Sequence, residues 1–163
     1  VGALHRWDGI EPSTTVATGF ILPNGLGWNA NDSVIYLADS FANTLLSAPY
    51  RADEGEVGEF QAIANIEPGL PDGLAVDVDG FIWLAVRGGH EVRRYSADGV
   101  LVATVPMPVA QPSSCAFGAD GTLYITSARA GLSDDDLVAQ PIAGSVFALS
   151  TNTQGVPVAP FGE

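Results

Sequence analysis

A chain of 163 residues in which 47% are apolar and 15% charged can bury one hydrophobic core and is too apolar for disorder. Nineteen acids against six bases give a formal net charge of −13, which repels phosphate backbones and argues against nucleic acid as a partner. A single cysteine, Cys115, excludes an internal disulfide, His5 and His90 are too few for a three-histidine zinc site, and no apolar run approaches the roughly 20 residues of a membrane-spanning helix.

In chain order, Val1-Gly2-Ala3-Leu4 carry no initiator methionine and already have strand character, so the chain is expected to continue upstream. No basic-then-apolar leader is present, which makes the cytoplasm the expected compartment. Ala3–Trp7 and Thr15–Gly19 read as two strands closing an incomplete unit. A repeat follows. Pro23-Asn24-Gly25-Leu26-Gly27-Trp28 precedes Val34-Ile35-Tyr36-Leu37-Ala38-Asp39. Pro71-Asp72-Gly73-Leu74-Ala75-Val76 precedes Phe81-Ile82-Trp83-Leu84-Ala85-Val86. Pro112-Ser113-Ser114-Cys115-Ala116-Phe117 precedes Thr122-Leu123-Tyr124-Ile125-Thr126-Ser127. The offsets of 48 and 41 residues match the roughly 40–50 of β-propeller blades.

The middle unit shows the pattern in full. Leu74–Val78 reads as a first strand, Asp79-Gly80 as a tight turn with positive φ tolerated at both positions, and Phe81–Val86 as a second strand. Glu91–Ser96 is a third strand, and Asp98-Gly99 turns into a fourth, Val100–Val105. Four antiparallel strands per repeat predict an all-β propeller. Its division is the end of one blade over 1–20, blades over 21–68 and 69–109, and a blade with a short helical insertion over 110–163. The insertion is a helix over Ser133–Pro141, with Ser133 as N-cap, acids in its first turn and a proline stop. Three to three and a half blades do not close a ring, so an upstream half or a second copy of the chain is the expected partner.

Four motifs carry a family likeness: Ile21–Trp28, Leu70–Asp77, Ser113–Gly118, and Ser127–Ser133 followed by Gln140–Gly144. In this order and spacing the chain resembles the C-terminal part of the senescence marker protein (regucalcin), gluconolactonase and luciferin-regenerating enzyme family. The resemblance implies a six-bladed propeller and hydrolysis of sugar-type lactones. It also implies one divalent cation in the central channel, calcium first, with zinc, magnesium and manganese as alternatives. It carries metal-ligand roles onto Asn24 and Asp72, with Asp72 also the catalytic residue. A third family ligand, a glutamate, belongs to the upstream half.

Read from the residues, Asn24 and Asp72 occupy one repeat position, just ahead of a first strand, where equivalent loops meet at the channel mouth. Their oxygen donors suit a hard cation. An isolated Asn-Gly or Asp-Gly is ordinarily a turn, and the pairs beginning at Asp8, Asp79, Asp98 and Asp120 are expected to be turns. Ser113 shares the repeat position, and Arg129 ends a second strand; each fits a channel mouth or an ordinary loop. Other patterns are discounted. Gly25–Ala30 fits a dinucleotide fingerprint but no helix follows. Asp77–Gly80 lacks the later glutamate of a calcium loop. Cys115 reads as core, and Trp28, Trp83, Tyr36 and Tyr124 as packing between blades. Asp134–Asp136 reads as a solvated helix start. Two other functions remain open: a non-catalytic calcium-binding or scaffold propeller, and a half-propeller that assembles as a homodimer.

Overall fold

The computed structural model describes residues 1–7 and 9–158. Strands β1 (Gly2–Arg6) and β2 (Thr14–Phe20) form a two-stranded antiparallel sheet. The second sheet takes β3 (Pro23–Trp28), β4 (Val34–Asp39), β5 (Thr44–Arg51) and the two-residue β6 (Glu56–Val57), with β7 (Gln61–Asn65) also paired to β5. The third runs β8 (Leu70–Val76), β9 (Ile82–Arg87), β10 (Glu91–Tyr95) and β11 (Leu101–Pro106), each paired to the next. The fourth holds β12 (Pro112–Phe117), β13 (Thr122–Ser127) and β14 (Val146–Ser150), with helix α1 (Asp134–Ala139) between its last two strands. Consecutive antiparallel strands, sheet after sheet, are the expected propeller organisation.

The sheets stack face to face because the middle one is apolar on both sides. Along β9, Ile82, Leu84 and Val86 join Tyr36, Leu45 and Ile66 of the preceding sheet in one core. The alternate residues Trp83 and Ala85 join Cys115, Leu123 and Ile125 of the following sheet in another. A strand buried on both faces reads as a continuous apolar run, which is how Ile82–Val86 reads. The terminal sheet has one covered face, and there Tyr124 is 44% and Val146 64% exposed. Tyr36 and Trp83 are buried as expected, whereas the face that carries Tyr124 has no second sheet against it among the described residues. Trp28 is partly buried, edge-on to Tyr50.

Two details of the strands differ from expectation. The first strand of the middle repeat starts at Leu70, not Leu74, because the Pro71-Asp72-Gly73 segment stays paired to β9 through a bulge. In the hairpin, Gly80 alone is left-handed, at φ +85°, with Gly80 N–H donating to the Asp77 carbonyl and Asp77 N–H to that of Phe81. That is a type I turn closed by a left-handed glycine, and Asp98-Gly99 and Asp120-Gly121 repeat it. Asp8 lies outside the described residues.

The same hairpin carries a buried ion pair. Asp77 is fully buried; its Oδ1 accepts from the N–H groups of Asp79 and Phe81, and its Oδ2 from Trp83 Nε1 at 2.9 Å and Arg94 Nη2 at 2.6 Å. Arg94 also lies over the Phe81 ring, 3.9 Å from its centroid. The Asp77 carboxylate is thus occupied by protein donors, in agreement with discounting it as a calcium loop. After β14 the chain returns to this hairpin: Gly155 bridges to Asp77, and Val156 N–H donates to the Val76 carbonyl. The helix forms as its sequence predicts: Ser133 caps it, Asp136 completes a capping box, and Pro141 follows its C-cap Gln140. No helix among the described residues is long and apolar enough to cross a membrane.

Asp77→Ala removes the acceptor for one arginine and one indole in a buried setting, and is expected to cost about 3 kcal/mol or more of unfolding free energy. Urea denaturation checks this, and a loss below about 1 kcal/mol contradicts the role given to the pair.

Candidate functional site

The first strands β3 and β12 pack on either side of β8, so one end of β8 meets the corresponding ends of both. At that end all three bulge. Between Pro23 and Leu26 three steps of β3 face two of β4, and β8 does the same against β9 between Pro71 and Leu74. In β12 the irregularity falls between Pro112 and Ser114. The extra residues are Asn24-Gly25, Asp72-Gly73 and Ser113. Asn24 and Asp72 therefore lie within their strands, at bulges, and not in loops ahead of them as expected from the sequence.

The glycines explain why this works. A Cβ on Gly25 would stand 2.5 Å from the Asp72 carbonyl oxygen and 2.7 Å from the Leu74 nitrogen. A Cβ on Gly73 would collide with the Ser114 side chain. The Asn-Gly and Asp-Gly pairs serve close approach between neighbouring strands, and the approach draws Asn24 towards Asp72.

Asn24 is exposed and its Nδ2 donates to Ser40 Oγ at 3.3 Å. The Asp39 carboxylate, buried at the end of β4, accepts from the N–H groups of Ile21 and Leu22 at 2.7 and 2.8 Å and braces the loop that leads into Asn24. Asp72 is half-buried. Burial pushes its carboxyl above the usual carboxylate range, opposed by the charge of Arg87, the Asn24 side chain and the Gly73 backbone N–H. Arg87 ends β9, donating from Nε to Gln111 Oε1 at 2.9 Å and from Nη2 to the Ala130 carbonyl at 3.1 Å.

The structure thus brings Asn24 and Asp72 together, while the side chains of other candidates are engaged elsewhere. The Ser113 hydroxyl is 2.8 Å from that of Thr126. Arg129 is exposed, with its aliphatic stem against Gly144. Cys115 is buried between sheets, and burial pushes its thiol up to about 12, so it stays protonated and unreactive. Asp136 is held below the usual carboxylate range by the Ser133 side chain and N–H of its own cap. A concavity of about 530 Å³ lies toward the opposite ends of the same inner strands, lined by Trp28, Val76, Phe117 and Val156 among others.

Sequence reasoning missed Ser40, Asp39 and Arg87. Ser40 and Arg87 hold equivalent repeat positions, since Ala38-Asp39-Ser40 aligns with Ala85-Val86-Arg87. Aligning the second strands one residue further would have found both.

The donors at the two bulges are one amide oxygen and one carboxylate, both hard, which fits part of the shell of a divalent cation such as calcium. Among the described residues no cluster of three or more histidine, cysteine, aspartate or glutamate side chains is placed to hold a metal. The pair accordingly fits a cation that takes its remaining oxygens from elsewhere.

Comparison with known proteins agrees with this architecture. The sequence model described as the SMP-30/gluconolactonase/LRE-like region matches residues 1–129. The chain is 42% identical over 142 residues to the L-arabinolactonase of Azospirillum brasilense, covering 86% of this chain and 47% of that protein. It is 32% identical over 142 residues to rabbit (Oryctolagus cuniculus) regucalcin, covering 83% of this chain and 48% of that one. In three dimensions it resembles the regucalcin of Agrobacterium tumefaciens, described as a calcium-binding protein, with a TM-score of 0.80 at 30% identity, covering 88% of this chain and 50% of that one. The chain spans about half the length of the curated relatives it matches. These likenesses establish the all-β propeller class.

Two outcomes follow. Gly25→Ala is expected to lower stability by about 1–3 kcal/mol, because the added methyl has backbone on two sides; an unchanged urea midpoint contradicts the close approach. Cys115 is expected to resist a thiol-specific reagent until the chain unfolds, and rapid labelling of the native protein contradicts its burial.

Proposed function

Because the chain belongs to the SMP-30/gluconolactonase/LRE-like family, we propose that it contributes the metal- and substrate-binding inner strands of a lactonase acting on sugar-type lactones. The observation that carries the reading is the meeting of Asn24 and Asp72 on adjacent bulges of β3 and β8. The similarity to an L-arabinolactonase supports the reaction class, and the similarity to a regucalcin described as calcium-binding supports the cation.

Asn24, through its amide oxygen, and Asp72 are the residues that would hold the ion, calcium first, with magnesium, manganese or zinc as alternatives. Such a cation supplies Lewis-acid polarisation of a carbonyl. The rest is the work of the chain. Asp72 takes the proton of the attacking water as the new bond forms at the lactone carbonyl carbon. The ring ester bond then breaks, and the departing oxygen takes a proton to give the hydroxy acid. Ser40 keeps the Asn24 amide in place, and the Gly73 N–H helps hold Asp72 ionised between turnovers.

Completion of the ring is part of the same proposal. An upstream half, or a second copy of this chain, would cover the exposed face of the sheet that carries Tyr124 and Val146. Native mass spectrometry separates the two: a bound companion fragment supports the first, a symmetric dimer the second, and a monomer that hydrolyses lactones by itself contradicts both. A calcium-binding propeller that hydrolyses nothing is the second reading, favoured by the calcium-binding description of the Agrobacterium relative.

In the protein that carries this chain, Asp72→Ala is expected to abolish metal retention and lower lactone turnover by about 10²–10⁴-fold. Hydrolysis measured beside metal content, with and without chelator, checks it. Undiminished turnover at full metal occupancy contradicts the assignment of Asp72, and stoichiometric metal with no lactone turned over favours the non-catalytic reading.

A further inference from the structure

All six bases of the chain are arginines. Arg51, Arg93 and Arg94 form ion pairs with carboxylates, and Arg6 donates to the Glu54 carbonyl. Arg129 is exposed, with no carboxylate at contact distance among the described residues. Arg87 has none either, its hydrogen-bond partners being a neutral amide oxygen and a backbone carbonyl. Yet it sits beside the candidate site, close enough for its charge to act on Asp72.

The orientation is fixed by the following sheet. Nε is held by Gln111, itself buried just ahead of β12, and Nη2 by Ala130 in the loop after β13. Both anchors lie along the Nε–Nη2 side of the guanidinium. The end formed by Nη1 and the second proton of Nη2 makes no hydrogen bond with the described residues. A planar guanidinium with one side immobilised and its end open is a preorganised receptor for a carboxylate, which it binds through two parallel N–H···O bonds. Its charge also disfavours a cation at Asp72, a conflict that is removed when an anion lies next to both. With a net charge of −13 repelling anions elsewhere, such a ligand needs a local cation.

We propose that Arg87 is a specificity-determining residue that receives a free carboxylate on the substrate, so that the preferred lactones are those of sugar diacids over neutral sugar lactones. The proposal rests on the lactonase reading for its reaction and on Arg87 alone for its selectivity.

The test compares wild type, Arg87→Gln and Arg87→Lys, in the protein that carries this chain, on a neutral sugar lactone and on a sugar-diacid monolactone. Calorimetric binding of the open-chain sugar diacid is measured in parallel. Wild type is expected to prefer the diacid lactone, and Arg87→Gln to reduce the ratio of the two kcat/KM values by about 10- to 100-fold, the range of a charge-assisted hydrogen bond or pair. Arg87→Lys is expected to keep part of the preference, since it retains the charge but not the planar fork. If a variant does not fold, the wild type alone still decides: rising salt should raise KM for the diacid lactone and leave that for the neutral one. Equal losses on both lactones would overturn the proposal and make Arg87 a clip between sheets. Diacid binding that depends on Arg87 with neither lactone hydrolysed would keep the anion site and remove the lactonase reading. Absence of both preference and binding would remove the site.

Discussion

The close approach of β3, β8 and β12 at their bulged ends is the constraint on which the rest depends. Antiparallel sheets stacked face to face ordinarily keep their strands about 10 Å apart. Around a common axis, however, first strands converge, and backbone must pass near backbone. Gly25 and Gly73 have no Cβ where one would strike the next strand, which permits that convergence. The bulges at these glycines add a residue to each inner strand, so Asn24 and Asp72 are offered at the strand ends while the strands remain paired. Geometry and chemistry are therefore set by the same few residues.

Charge is managed around that end and not only within it. Asp39 and Asp77 are both buried carboxylates, yet each is consumed by structure: Asp39 by the N–H groups of the loop before Asn24, and Asp77 by a turn, an indole and Arg94. Asp72 differs in being half-buried, raised by desolvation and opposed by a nearby arginine. A half-buried carboxyl at the meeting point of inner strands is what the proposed ligand role requires, whereas the two fully buried ones serve as braces.

Much of the fold was legible from the residues. Strand order and the hairpin positions follow from the repeat, because stacking every interior sheet on both sides forces continuous apolar runs such as Ile82–Val86; the count of four per repeat holds for the middle sheet, while the sheet before it has five strands and the sheet after it three. The helix was legible from its cap, since Ser133 and Asp136 satisfy each other's backbone locally. The start of each first strand was not, because Pro-Asp-Gly reads as a turn and becomes a bulge only when a neighbouring strand presses on its glycine. The exposure of Tyr124 was not legible for a related reason: it depends on whether another sheet lies on that face, which local sequence does not encode. That Asn24 and Asp72 lie on neighbouring inner strands was legible from repeat position. Arg87 and Ser40 were not, since they lie on the neighbouring strand and come to the bulge through strand pairing.

The central claim is that the Asn24 and Asp72 bulges form one cation-binding place. Its most direct test is a crystal structure of the protein grown with calcium and, in parallel, with terbium as an anomalous scatterer. The account predicts a single strong peak between β3 and β8, with an Asn24 oxygen and an Asp72 carboxylate oxygen both at about 2.3–2.6 Å from calcium. A peak elsewhere, with Asn24 and Asp72 still hydrogen-bonded within the protein, would contradict it.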